Sequence, residues 1–187
     1  MADAGRVIAG TARGIRLQAP GPGTRPLADR VKQTLFAILE PDLRGARVLD
    51  LFAGSGAAGI EALSRGAASA TFVEHDAGAA RVIGSNLARA GLAGPNAQVV
   101  RDDALRWLRR AGVPPFDVVI VDPPYDRTDL LVETLEVVAP LVAPRGRVVA
   151  KHFWRDAPPP TVGLLASERD RRFGETALTF YRRLEDR

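Results

Sequence analysis

The sequence predicts an α/β fold, doubly wound, with a mostly parallel sheet that ends in an antiparallel hairpin. Strand-like and helix-like segments alternate from residue 46 to residue 151, which is typical of βαβ units. The segment 116–121 is apolar except for Asp117, as expected for a parallel strand buried on both faces. Near the end of the chain, residues 164–172 and 176–183 have the pattern of two strands joined by a turn. The 187 residues suit one domain with a single core.

The individual elements follow in chain order. Short strands at 6–9 and 15–18, with Arg13-Gly14 in the turn, predict a hairpin, and residues 19–26 predict a stiff, proline-rich connector. Asp29 is placed to cap a helix with an apolar stripe at every third or fourth residue. Strands are then predicted at 46–51, 69–74, 97–101, 116–121 and 146–151, with helices at 57–65, 77–90, 103–111 and 128–142. We expect residues 1–28 to form a hairpin and connector, and residues 29–187 one compact domain.

Composition excludes several kinds of chemistry. The chain has no cysteine, which rules out disulfides, thiolate nucleophiles and Cys-based zinc sites. The two histidines, His75 and His152, are too few for a His-rich metal site, and we expect no metal. No apolar run approaches the length of a membrane span, and no signal peptide is recognisable. We therefore expect a cytoplasmic protein without a membrane partner, acting as a monomer.

Positive charge is concentrated near the N-terminus. Residues 1–32 contain six basic and two acidic residues, which equals the whole net charge of +4. Two interpretations stay open at this point: a solvated arginine-rich surface, or a patch that binds phosphates. The basic residues are Arg6, Arg13, Arg16, Arg25, Arg30 and Lys32.

A glycine-rich loop follows the predicted strand 46–51. Gly54, Gly56 and Gly59 match the pattern G-x-G-x-x-G, and Glu74 ends the next strand 20 residues after Gly54. This combination is typical of a nucleoside cofactor bound at a strand-to-helix turn, where an acidic residue accepts hydrogen bonds from ribose hydroxyls. An NAD-dependent enzyme is therefore one candidate.

Asp50 favours a different cofactor. It lies at the end of the strand, four residues before Gly54. A carboxylate there would repel a pyrophosphate but suits the ammonium group of S-adenosylmethionine (SAM). The chain also lacks room for the separate substrate domain that a dehydrogenase needs. The sequence thus favours SAM, with Phe52 in the same loop as a further cofactor-binding residue.

Asp103 follows the third strand of the alternating region. Its carboxylate could accept a hydrogen bond from the adenine amine of the cofactor, or could cap the next helix. The sequence does not separate these two roles.

The fourth strand ends in Asp122-Pro123-Pro124-Tyr125. The prolines stop the strand abruptly, at the edge of the sheet where ligands bind in open α/β folds. Asp122 and the carbonyl of Pro123 are acceptors for an amine, and Tyr125 offers a ring on which a base can stack. Because a base amine is a poor nucleophile, acceptors on its hydrogens help direct its lone pair towards the methyl group. The motif therefore predicts methylation of an amine.

Two other methylation reactions are disfavoured. Methylation of pyrimidine carbon 5 normally needs a cysteine nucleophile, and the chain has none. Methylation of a ribose hydroxyl needs a base, and the candidates Lys151 and His152 follow a strand with nothing in the sequence to pair them with Asp122.

Along nearly its whole length the sequence resembles the bacterial methyltransferases that modify guanine N2 in 16S ribosomal RNA. The matching segments are Arg6-Val-Ile-Ala-Gly10 with Gly14, Thr24-Arg25-Pro26, Asp29-Arg-Val-Lys32, Leu35-Phe36, Asp50-Leu-Phe-Ala-Gly-Ser-Gly56, Glu61-Ala-Leu-Ser-Arg-Gly66, Phe72-Val-Glu74 and Asp122-Pro-Pro-Tyr125. The N-terminal segments are specific to this family, whereas the glycine and Asp-Pro-Pro-Tyr motifs occur in many amine methyltransferases.

The resemblance implies a Rossmann-like sheet of seven strands with the last strand antiparallel. It implies SAM at Asp50, Gly54, Gly56 and Glu74, and the target amine at Asp122. It also implies that the basic hairpin faces RNA, and that the substrate is 16S rRNA or the small ribosomal subunit particle.

Three alternatives remain. A DNA amine methyltransferase would use the same active site, but no segment is large enough to read a DNA sequence. A protein-glutamine methyltransferase usually carries Asn in place of Asp122. A non-catalytic RNA-binding module would not be expected to retain Asp50, Glu74 and Asp122 together.

Overall fold

The structure is a computed structural model that describes residues 3–21, 27–110 and 112–184. Arg25, its motif Thr24-Arg25-Pro26 and most of the predicted connector lie outside the described residues. The elements in chain order are β1 (Asp3–Arg6), β2 (Arg16–Gln18), α1 (Asp29–Leu43), β3 (Arg47–Leu51), α2 (Ala57–Ser64), β4 (Ser69–Glu74), α3 (Ala77–Arg89), β5 (Ala97–Arg101), α4 (Ala104–Leu108), β6 (Phe116–Val121), α5 (Thr128–Val138), a 3-10 turn (Ala139–Leu141), β7 (Val142–Phe153), β8 (Thr161–Val162), β9 (Leu165–Phe173) and β10 (Thr176–Arg183). Among the described helices, none has the length and apolar character to cross a membrane.

The central sheet has the predicted doubly wound topology. Its order is β5-β4-β3-β6-β7-β10-β9-β8. Neighbours from β5 to β7 are parallel, and β10 is antiparallel to both β7 and β9. The mixed sheet with an antiparallel last strand is confirmed. The sheet has one strand more than the seven expected, because β8 comprises only two residues and is too short to show a period in the sequence.

Helices cover both faces of the sheet, and alternate residues of each strand face opposite layers. In β3, Val48 packs with the core under α1, α2 and α3, whereas Leu49 packs with the core under α4 and α5. Both residues are fully buried. This burial on two sides explains the nearly continuous apolar runs from which the parallel strands were predicted.

The N-terminal segment, residues 3–21, packs against α2 and α3. Its first strand is Asp3–Arg6 and not the predicted 6–9. The backbone N–H groups of Ile8 and Ala9 instead donate to the carboxylate of Glu61, at 2.8 and 3.0 Å. Ala12 donates to the hydroxyl of Ser64 at 2.9 Å. The backbone N–H groups of these residues therefore bind side chains of α2 and not a partner strand. Strand propensity does not reveal such a pattern.

Two motif residues hold this segment in place. Gly10 has a φ of +85°, and a Cβ there would lie 1.8 Å from the carbonyl oxygen of Ser64, so the close approach requires glycine. Lys32 is completely buried, donates to the carbonyl of Arg6 and lies 3.8 Å from Glu61. Burial lowers the pKa of Lys32, against the opposing charge of Glu61.

Helix ends differ from the prediction in two places. α4 ends at Leu108 and begins after Asp103, whose side chain accepts a hydrogen bond from the N–H of Arg106 at 2.9 Å. α5 ends at Val138, because Pro140 belongs to the following 3-10 turn and cannot continue an α-helix. β7 then begins at Val142, four residues earlier than predicted.

Candidate active site

A cavity of about 560 Å³ lies at the carboxyl ends of the parallel strands. It adjoins the point between β3 and β6 where the strand order reverses, which is where open α/β sheets bind ligands. The side chains and loops that line it are Ala4, Ala19, Pro20, Gly21, Leu27, Leu35, Asp50, Phe52, Ala53, Gly54, Ser55, Ala57, Ala58, Glu74, His75, Asp76, Ala79, Ile120, Asp122, Pro123, Pro124, Tyr125, Val149 and Lys151. The sequence motifs of three strands thus meet at one cavity, together with part of the N-terminal segment.

The loop after β3 bends sharply to reach α2. Phe52 lines the cavity with a φ of 59°, a conformation that is unusual for a residue with a side chain and is often found at functional sites. Gly54 also lines the cavity, and its N–H donates to Glu74 at 2.9 Å. Gly56 does not line the cavity but caps the start of α2, so its contribution is to the turn. Gly59 lets α2 approach β4, since a Cβ there would lie 2.3 Å from the ring of Phe72.

Asp50 is a buried carboxyl at the bottom of the cavity. It is 2% exposed and accepts a hydrogen bond from the N–H of Gly59, in the first turn of α2, at 2.9 Å. Burial raises its pKa to about 8, with further contributions from the charges of Asp122 and Glu74, while the Gly59 hydrogen bond acts in the opposite direction. A cation bound beside Asp50 would favour the charged form of this carboxyl group, so the cavity is suited to a cation.

Glu74 is also buried, and its carboxylate organises the loops on either side. One oxygen accepts from the N–H of Gly54 at 2.9 Å and the other from the N–H of Asp76 at 2.8 Å. Asp76 in turn caps α3 by accepting from Ala79 at 2.7 Å. Each carboxylate oxygen can accept a second hydrogen bond, so Glu74 retains capacity for a ligand.

Asp122 is paired with Lys151. The ammonium of Lys151 lies 2.7 and 2.8 Å from the two carboxylate oxygens of Asp122. Burial by itself lowers the pKa of Lys151, but the charge and hydrogen bonds of Asp122 raise it more, and the pKa lies above its ordinary value. At neutral pH the pair is therefore a carboxylate and an ammonium.

The expectation that nothing pairs Lys151 with Asp122 was wrong. Val121 and Ala150 are partners in the parallel ladder of β6 and β7, so the next residue of each strand lies beside the other at the sheet edge. The sequence contained a signal for this pair. The apolar residues of β6 and of β7 are each followed directly by a charged residue, Asp122 and Lys151. Methylation of a ribose hydroxyl stays disfavoured for another reason, because a lysine with a raised pKa is a poor base. His152 is buried elsewhere, with its ring nitrogens 2.8 and 2.9 Å from Phe153 O and Thr179 Oγ1.

Tyr125 has contacts through both its hydroxyl group and its ring. Its hydroxyl is 2.7 Å from the hydroxyl of Thr176 in β10, and its ring centroid is 5.0 Å from the ammonium of Lys151. Pro123, between Asp122 and the ring, is buried and lines the cavity. The tetrapeptide is thus fixed against β7 and β10 before any substrate binds.

Asp103 has the capping role that the sequence allowed. Its carboxylate bonds the first turn of α4, and it is absent from the residues that line the cavity. Its contact with an adenine stays a prediction.

The basic residues of the N-terminal segment lie on the surface. Arg6 pairs with Asp29 at 3.2 Å and Arg16 with Asp3 at 2.8 Å. Arg13 and Arg30 are exposed. Both acidic residues of the stretch 1–32 are therefore used in ion pairs, with two of its six basic residues.

The fold and this site are those of the Rossmann-like, SAM-dependent methyltransferases. The chain belongs to the family described as Conserved hypothetical protein 95, whose model matches residues 5–182. It is 46% identical over 134 residues to "Ribosomal RNA small subunit methyltransferase D" of Escherichia coli (strain K12), a match that covers 71% of this chain and 66% of that protein.

Two further matches cover nearly the whole chain. The sequence is 40% identical to "Putative rRNA methyltransferase YlbH" of Bacillus subtilis (strain 168), over 95% of this chain and 98% of that protein. The structure matches that of "Putative methyltransferase yhhF from Escherichia coli" with a TM-score of 0.85 and 37% identity, over 96% of this chain and 97% of that one.

Proposed function

We propose that this protein transfers a methyl group from SAM to the exocyclic N2 amine of a guanine in 16S ribosomal RNA. The observation that carries the proposal is the meeting of Asp122-Pro123-Pro124-Tyr125 with the carboxylates of Asp50 and Glu74 at one cavity. The names of the relatives in Escherichia coli and Bacillus subtilis support rRNA as the substrate class.

The cavity fits SAM better than a dinucleotide. Burial first, and then repulsion by the charges of Asp122 and Glu74, raises the pKa of Asp50. A ligand with an ammonium and a sulfonium would relieve this repulsion, whereas a pyrophosphate would increase it. Asp50 is the partner for the ammonium, Glu74 for the ribose hydroxyls, and Phe52 and the backbone at Gly54 border the nucleoside. The bound cofactor supplies an electrophilic methyl carbon.

Asp122 can orient an amine while it stays paired with Lys151. The ammonium uses one acceptor position on each carboxylate oxygen, and one position on each remains. These two positions match the adjacent N1–H and N2–H donors on the Watson–Crick edge of guanine. Held by Lys151, Asp122 acts as a hydrogen-bond acceptor for the amine. Tyr125 offers its ring to the base, and Pro123 an additional carbonyl.

The N-terminal segment has a double role in this proposal. Ala4, Ala19, Pro20 and Gly21 close one side of the cofactor cavity, while the basic residues on the outer side meet RNA. The division of the chain into 1–28 and a methyltransferase domain at 29–187 stays a prediction. So do the action of the protein as a monomer, its cytoplasmic location and its use of the assembled small subunit as substrate.

The product identifies the reaction. The protein is incubated with SAM carrying an isotopically labelled methyl group and with 16S rRNA, either protein-free or in the small subunit, and the digested nucleosides are analysed by mass spectrometry. We expect labelled N2-methylguanosine. Labelled 5-methylcytidine or a 2′-O-methyl nucleoside would contradict the role of Asp122, and methylation of DNA alone would favour the DNA amine alternative.

A pair of variants tests the site itself. Asp122→Ala should lower kcat by on the order of 100-fold or more, with a much smaller change in SAM affinity, because the amine is no longer oriented. Asp126→Ala is the matched control, since Asp126 is exposed, lies one residue beyond the tetrapeptide and does not line the cavity. Equal kcat values for the two variants would refute the assignment.

A further inference from the structure

A second concave surface lies beside the active site. It is a groove of about 880 Å³ between α1 and β9. α1 borders both concavities, since Leu35 lines the cavity and Gln33 and Thr34 line the groove. The full lining of the groove is Gln33, Thr34, Ala37, Ile38, Pro41, Arg147, Glu168, Arg169 and Arg171.

The groove leads towards Tyr125. Residues two apart on a strand share a face, so Arg169, Arg171 and Phe173 form one row along β9. At the end of this row, Phe173 is paired with Thr176 of β10, whose hydroxyl is 2.7 Å from the hydroxyl of Tyr125. A chain lying in the groove would therefore arrive at the tetrapeptide that we assign to the target base.

The positive charge of the groove is not compensated by neighbouring acids. Within the described ranges, Arg169 and Arg171 are exposed and form no ion pair, and Arg171 donates only to the carbonyl of Asp170. The one carboxylate that lines the groove, Glu168, is already engaged by Arg147 at 2.6 Å and by Arg182 at 2.7 Å. The groove thus presents two guanidinium groups that have no carboxylate partner among the described residues.

We propose that this groove, defined by Gln33, Thr34, Arg169 and Arg171, binds the phosphate backbone of the RNA strand that flanks the target guanine. Guanidinium groups donate paired hydrogen bonds to phosphate oxygens, and the amide of Gln33 can donate to a phosphate or sugar oxygen. The hydroxyl of Thr34 donates to the carbonyl of Arg30 at 3.2 Å and can accept from a ribose hydroxyl. The inference rests on the proposed function and extends it, because it assigns a second RNA contact outside the N-terminal segment.

The test compares two double variants of equal charge. Arg169→Gln with Arg171→Gln removes the groove charges. Arg44→Gln with Arg89→Gln removes two exposed charges at the end of α1 and on α3, neither of which lines the groove. Binding of each full-length protein to protein-free 16S rRNA and to the assembled small subunit is measured at several salt concentrations, together with SAM affinity and methylation rate.

We expect the groove variant alone to bind RNA with a shallower salt dependence, by about 1.4 in the slope of log K against log salt for two lost single-strand phosphate contacts. SAM affinity should equal that of the wild type. A groove variant with the same salt slope as the control, while the wild type methylates RNA, would overturn the inference and leave the proposed function intact. Weaker binding only to the assembled subunit, with unchanged binding to free RNA, would assign the groove to a ribosomal protein and also overturn it. A wild type that neither binds nor methylates rRNA would instead refute the proposed function.

Discussion

Replacement of Asp50 by asparagine should stabilise the protein while weakening its cofactor binding. Asp50 is buried, and its pKa is raised from 3.8 to about 8, first by burial and then by the charges of Asp122 and Glu74. Between these two pH values the folded chain binds more protons than the unfolded chain. Stability therefore falls as pH rises through this window, and the loss is complete above pH 8.

The size of the effect follows from the pKa difference. About four pH units at 1.36 kcal/mol per unit give roughly 5 kcal/mol as an upper limit. Asparagine can keep the hydrogen bond from Gly59 through its oxygen, but it also buries an amide that needs its own acceptor, so we expect a net gain of about 2 kcal/mol. For a chain of this length that raises Tm by about 4–8 °C at pH 9.

The assay is thermal unfolding of the wild type and Asp50→Asn from pH 4 to pH 9, with and without SAM. The advantage of the variant should shrink as pH falls below 8 and reverse towards pH 4, because the folded wild-type carboxyl is then protonated whereas the asparagine amide still needs an acceptor. SAM should raise the Tm of the wild type but hardly that of the variant, because the ammonium loses its partner. Equal Tm values at pH 9, or an undiminished shift with SAM, would refute the placement of a cation at Asp50.

Three further variants follow from the same structure. Lys151→Met removes the two hydrogen bonds that hold the carboxylate of Asp122 and should lower kcat with little change in SAM affinity, whereas an unchanged kcat would show that Lys151 does not position Asp122. Glu74→Gln should weaken SAM affinity by on the order of tenfold or more in calorimetry, since a charged acceptor is lost, and an unchanged affinity would remove Glu74 from the ribose site. Gly10→Ala should lower Tm and expose the N-terminal segment to proteases, because its Cβ would overlap a carbonyl oxygen of α2. Gly14→Ala is the control with a similar φ and open space around it, and equal damage by both variants would contradict the close-packing argument.

The contacts of the N-terminal segment also depend on residues far away in the chain. Hydrogen-bonding potential was visible in the sequence at Glu61 and Ser64, but their partners lie more than 50 residues earlier. Propensity therefore predicted a strand at 6–9, where the backbone in fact donates to side chains of α2. The same long-range packing buries Lys32, which the sequence could only count as a surface charge.

The sequence by itself determined the order of strands and helices, the doubly wound topology, and three of the carboxylates at the cavity. These features are local: apolar periodicity marks a parallel strand, and ligand-binding residues follow its carboxyl end. Only the tertiary structure decided that Lys151 pairs with Asp122, that Asp103 caps a helix, and that Arg169 and Arg171 face α1 beside the active site. Each of these depends on strand register and on which residues meet across the fold, and such contacts are properties of the packed chain that no local segment encodes.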